Sequence, residues 1–155
     1  MNNLHPQQIM LHKLSLICII IIMLSACGTT PIVLFADVCN QQNATKLIST
    51  EGYFVAGSSV FCSNITGSMQ CGLEFVAEPS QTQGFHVQLQ RGNQPNQIEV
   101  PDNFTEATII LHANDGSRLM LERKAHIAGI MTINQAENVC VMHVERVEQG
   151  VNRKR

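Results

Sequence analysis

His86, His112, His126 and His143 are the side chains in the body of the chain best suited to metal or proton chemistry. Each alternates with apolar neighbours, and no two have the close spacing of a ligand cluster. The pattern therefore places them on outward strand positions. Gly57-Ser58-Ser59 and Gly67-Ser68 lack the Gly-x-Ser-x-Gly elbow that presents a nucleophilic serine, and they read as turns. Glu99 and Asp102 flank Pro101, Asp115 sits in a turn, and no acidic pair stands out as acid and base. Asn43-Ala44-Thr45, Asn64-Ile65-Thr66 and Asn103-Phe104-Thr105 match a glycosylation pattern by chance in a chain rich in Asn and Thr. The chain has no glycine-rich phosphate loop. On these grounds no catalytic residue, metal ligand or cofactor is assigned, and the expectation is a protein that is not an enzyme.

Thiol chemistry is more informative. Of six cysteines, Cys18 lies inside an apolar run from Leu14 to Leu24 and Cys27 lies just beyond it. As a helix that run would span roughly 16 Å at ~1.5 Å per residue, about half a bilayer core. It follows a polar start whose one fixed charge is Lys13, and it exits through Ser25-Ala26-Cys27-Gly28. This is the layout of a secretory signal. Ordinary signal peptidase needs small residues one and three places before its cut. Ala26 meets the first condition and Leu24 breaks the second.

Leu24-Ser25-Ala26-Cys27 resembles instead the lipobox of bacterial lipoproteins. The resemblance implies recognition of Leu24, Ser25 and Ala26 by lipoprotein signal peptidase. It further implies a mature N-terminus at Cys27, with diacylglycerol on its sulfur and the membrane reached through that lipid. The competing reading is an uncleaved signal anchor with Cys27 an ordinary thiol. Gly28, where an Asp would retain such a protein in the inner membrane, points to the outer membrane and a domain facing the periplasm.

The expected organisation is a signal peptide over 1–26, a lipidated N-terminus and tether over 27–45, a β-domain over 46–149 and a basic tail over 150–155. Residues 27–155 are one domain's length, enough for a real core. The whole chain carries a net charge of −2, and removing Lys13 makes the remainder more acidic. That balance argues against a nucleic-acid groove, which needs a basic stripe; Arg153-Lys154-Arg155 is the only basic cluster. With Cys18 removed and Cys27 lipidated, Cys39, Cys62, Cys71 and Cys140 remain in an oxidising compartment. Four thiols allow three pairings. Cys62 and Cys71 flank the Asn-, Ser- and Gly-containing segment Ser63 to Gln70, so a local bridge across a hairpin loop is easily closed. The pairing so favoured leaves Cys39 with Cys140.

From Lys46 the sequence becomes β in character. Leu47 to Ala56 is rich in β-branched and aromatic residues, with Gly52 marking a bulge or bend. Gly72 to Ala77, Phe85 to Gln90, Ile98 to Val100, Thr108 to His112, Arg118 to Leu121, Lys124 to Ile133 and Val139 to Val147 follow as strand candidates. Asn114-Asp115-Gly116-Ser117 is a strong turn. Ile32 to Phe35 reads as an edge strand or a plug on the domain. No helical periodicity persists over three turns between 46 and 147, and no internal repeat is evident.

Ile48-Ser49-Thr50-Glu51-Gly52-Tyr53, with the closing pair Lys124 to Gly129 and Cys140 to Val144 running on to Glu148, resembles an OB-fold. The resemblance implies an all-β Greek-key barrel of five to seven strands; a β-sandwich of similar spacing is the competitor. It does not imply an oligonucleotide ligand, because the chain has no Trp and one Tyr for stacking. The expectation is a lipid-anchored binding or assembly module of the cell envelope that contacts another envelope protein. Neither nucleic acid nor a small-molecule ligand is expected. A small envelope enzyme built from scattered His and Glu, or an inhibitor or immunity-type lipoprotein, is the alternative. Gln81 to Gln97, rich in Gln, Asn and Gly, suits protein or glycan contacts.

Overall fold

The computed structural model describes residues 29–56, 60–65, 67–81 and 83–150. Leu24 to Cys27, the apolar run before them, the Gly57-Ser58-Ser59 stretch expected to turn and residues 151–155 of the basic tail lie outside the described residues. Within them the chain is all-β, with nine strands. These are β1 (Leu47–Val55), β2 (Phe61–Ile65), β3 (Ser68–Val76), β4 (Phe85–Gln90), β5 (Ile98–Glu99), β6 (Ile110–His112), β7 (Arg118–Met120), β8 (Lys124–Asn134) and β9 (Val139–Gln149).

Five of these strands close on themselves. The large sheet runs β1-β8-β9-β4-β3-β2, and β1 pairs a second time with β3 through Tyr53–Val55. Every contact in the ring is antiparallel except β4 with β9, which is parallel. This is an OB-like Greek-key barrel. The count exceeds the five to seven strands expected because β2 is added outside the ring and β5-β6-β7 form a separate small sheet.

Alternation explains the interior. Phe85, Val87 and Leu89 of β4 are buried, and His86 and Gln90 between and beyond them are exposed. Leu73, Phe75, Ile127, Met131 and Met142 join them. The small sheet adds Ile98, Leu111 and Leu119 to the same core, so it covers the barrel and forms no second unit. Asn96 helps to fasten it: its Oδ1 accepts from the Val147 N–H at 2.9 Å and its Nδ2 donates to Asn114 Oδ1 at 3.1 Å.

Gly52 makes no bulge, since its strand stays in register with β8 from Leu47 to Tyr53. A Cβ there would stand 2.5 Å from the Val76 carbonyl oxygen and 2.6 Å from the Phe75 ring. The missing side chain is what lets β1 turn onto β3 and complete the ring. The irregularity falls elsewhere, between Ala128 and Gly129. Ala128 faces Arg146 and Gly129 faces Val144, which leaves Glu145 as the extra residue.

Residues 31–45, grouped by sequence with the tether, are built into the fold. Ser49 donates its N–H to the Pro31 carbonyl at 2.9 Å, and Val33 donates to the Ser49 carbonyl at 2.8 Å. These bonds cover the half of β1 that β3 leaves open, through a single bridge at Ile32 in place of the edge strand expected over Ile32 to Phe35. Phe35 acts as the plug. Its ring lies 5.4 Å from Phe85 and 6.2 Å from Phe75, extending a cluster in which Phe54 meets Phe75 edge-on at 4.9 Å. Val38 is fully buried, and Cys39 is disulfide-bonded to Cys140 on β9.

The second disulfide joins Cys62 to Cys71. It crosses a hairpin, as expected, but between paired strands rather than at the mouth of a long loop. Ser63 pairs with Gln70, Asn64 with Met69 and Ile65 with Ser68, so strand continues through the segment read from sequence as connection.

Candidate functional site

The outer surface of the barrel changes character from wall to wall. One row of cross-strand neighbours runs Leu47, Ile130, His143, Gln88, Gly72 and Phe61 across β1, β8, β9, β4, β3 and β2. Its β1–β8 end is apolar and its centre is polar. Beside that centre lies a groove of about 290 Å³ lined by Ile65, Gln70, Gln88, Gln90, His143, Val144 and Glu145.

Each lining residue is placed by strand geometry. Gln88 and Gln90 are outward residues of β4, as His86 is, and Gln90 stands opposite Gln70. His143 stands beside Gln88 across the parallel β4–β9 contact. Val144 and Glu145 reach the groove together because the β8–β9 bulge breaks strict alternation. Gly72, directly opposite Gln88, carries no side chain to fill the floor.

Its chemistry is that of hydrogen-bonding side chains, amides above all. Gln70 Nε2 donates to Ser68 Oγ at 3.0 Å, and His143 Nε2 lies 3.1 Å from Thr132 Oγ1. Gln88 Oε1 is buried and has no hydrogen-bond partner among the described residues. An unmatched buried acceptor costs about 1–3 kcal/mol, a cost that turning the Gln88 amide towards a donor in the groove would recover. Phe61, 72% exposed, stands at the far end of the row on β2, where it offers apolar contact. The groove presents amides, one imidazole and one carboxylate, a set suited to recognising a surface by hydrogen bonds.

The four histidines are engaged separately. His86 Nδ1 lies 3.0 Å from Glu74 Oε1, His112 Nε2 3.2 Å from Glu99 Oε2, and His126 Nδ1 3.1 Å from Glu148 Oε2. His143 alone reaches the groove. Among the described residues, no three His, Cys, Asp or Glu side chains gather closely enough to hold a metal ion. A second cavity of about 310 Å³ lies by Arg91, Glu99 and Pro101. The Arg91 guanidinium is already committed there, to the Val100 carbonyl at 2.6 Å and Asp102 Oδ1 at 3.0 Å.

The Gln81–Gln97 stretch supplies Gln88 and Gln90, but sequence reasoning missed Gln70 and Glu145. Gln70 fell in a segment with loop composition, and the exposure of Glu145 beside Val144 depends on a bulge with no local signal. No helix among the described residues is long and apolar enough to cross a membrane. Cys27 and its recognition residues Leu24, Ser25 and Ala26 lie outside the described residues. Compared with known proteins, the chain matches no family model, no curated protein and no solved structure.

Proposed function

We propose that this protein is a lipid-anchored, non-catalytic binding module of the bacterial cell envelope, held by diacylglycerol on Cys27. Its contact surface is the glutamine-lined wall of β3, β4 and β9, and its partner is another envelope protein. The observation that carries the reading is Gln88, whose side-chain oxygen is buried, unmatched and flanked by Gln70, Gln90 and His143 in one groove. The lipobox supplies the address, and its Gly28 favours the outer membrane, with the domain facing the periplasm.

The test is site-specific photo-crosslinking in intact cell envelopes, with the probe at Gln90 and a control probe at Asp115 in the β6–β7 turn. A discrete protein adduct from Gln90 and none from Asp115 supports the reading. Identical patterns from both positions sink it. Mass spectrometry of the mature protein checks the anchor independently, through lipid mass on the Cys27 peptide.

A further inference from the structure

We infer that the β1–β8 wall, with the Pro31–Leu34 segment beside it, lies directly on the bilayer surface. The inference rests on the lipidation of Cys27 proposed above. Pro31 is hydrogen-bonded to Ser49 of β1, so no more than the residues from Cys27 to Pro31 separate the anchor from the fold. At ~3.3–3.6 Å per residue that stretch reaches at most about 14 Å. A domain of this size has a radius of gyration of roughly 13–14 Å and so a diameter well above the tether's reach. Tumbling clear of the membrane is ruled out, and the wall nearest Pro31 stays at the lipid.

That wall is apolar where it needs to be. Ile32 is 76% exposed and Leu34 75%, although both belong to the segment fastened to the domain. Ile32 bridges Ser49, Leu47 lies two residues away on the same strand, and Ile130 stands opposite Leu47. Leu47 and Ile130 are 42% and 40% exposed. Single exposed apolar residues are ordinary, but a group beside an anchoring point marks a contact surface. The occupant it fits is the boundary between headgroups and acyl chains, into which apolar side chains settle a few ångströms deep.

Strand order gives the contact a consequence for the binding wall. In the ring β1-β8-β9-β4-β3, β4 is the strand farthest from the β1–β8 seam. Lipid contact at the seam turns Gln88 and Gln90 away from the membrane, towards a partner arriving from the aqueous side.

Because the chain contains no Trp, single tryptophans report cleanly. Lipidated protein carrying Ile32→Trp, Leu34→Trp or, as control, Gln88→Trp is placed in vesicles of phosphatidylethanolamine and phosphatidylglycerol with brominated acyl chains. Both seam probes are expected to emit at shorter wavelength and to be quenched several-fold more than the Gln88→Trp control. Adding Leu34→Ser to Ile32→Trp should lower the quenching of that probe while leaving the circular dichroism spectrum unchanged. Equal quenching at all three sites, in protein whose Cys27 lipid is verified by mass, overturns the inference and leaves the anchor standing. Absence of that lipid mass overturns the anchor and this contact together.

Discussion

Cys39 and Cys140 are covalently joined across 101 residues of sequence, tying the segment before the barrel to its last strand. Closing so long a loop restricts the unfolded chain by about 4–5 kcal/mol in the chain-entropy account, against about 2.5–3 kcal/mol for Cys62–Cys71, nine residues apart. Replacing both members of the first pair with Ser should therefore destabilise the protein more than replacing both of the second. Urea unfolding of the two double variants measures the difference. Equal midpoints would contradict it.

Gly52→Ala should destabilise the fold by about 1–3 kcal/mol, the usual cost of forcing atoms into a packed interior. The new methyl meets the Val76 carbonyl and the Phe75 ring where β1 closes on β3. Thermal unfolding of this variant against Gly67→Ala, at a turn with nothing near the added carbon, separates crowding from a general effect of losing glycine. Gly67 has a positive φ of 87°, so its own loss reports backbone preference alone.

Asn96→Ala leaves the N–H of Val147 without its acceptor and should cost about 1–3 kcal/mol. Asn96→Asp keeps an oxygen for Val147 but loses the donation to Asn114, so a smaller loss is expected. Asn96 also holds a positive φ of 65°, which Asn tolerates better than Ala. Amide exchange at Val147 checks the assignment: it should accelerate in the Ala variant far more than in the Asp variant.

Gln88→Met should separate stability from binding. Removing an unmatched buried acceptor is neutral or raises stability by up to about 1 kcal/mol. The same change removes the central hydrogen-bonding group of the groove and should abolish crosslinking from Gln90. A variant both less stable and fully competent in crosslinking would show that Gln88 belongs to the scaffold alone.

Asp115 has its pKa lowered by the Ser117 hydroxyl and by the Ser117 N–H, which donates to Oδ1 at 2.9 Å. A depressed carboxyl contributes its stabilisation above the ordinary carboxylate range and loses it as pH falls through the folded-state pKa. The β6–β7 turn should therefore loosen only in acid. Amide protection at Ser117, followed by NMR, is expected to fall on acidification and to be pH-independent in Asp115→Asn.

Much of the barrel is legible in the sequence because alternation has a physical cause. Phe85, Val87 and Leu89 must share one face of a strand, and Asn114 to Ser117 must turn. What escapes is set by partners distant in sequence. Val76 looks outward by alternation from Leu73 and Phe75, yet it is fully buried where β3 meets the Gly52 region of β1. Ser63 to Gln70 has the composition of a loop, yet it pairs as a hairpin extending from the Cys62–Cys71 pair. The groove suffers most, since Gln70, Gln88 and Glu145 become neighbours only through register and a bulge. Their own neighbours in the sequence carry no trace of it.

The Cys39–Cys140 bond also decides how tension travels. A pull on the amino-terminal side first loads the hydrogen bonds that hold Pro31 and Val33 to Ser49, and these can give way in succession. Beyond them the force crosses at Cys39 directly into β9, bypassing the strands between. Unzipping from the amino-terminal side would thus halt at the disulfide, and the load would pass to β9, the strand that carries His143 and Glu145 of the groove.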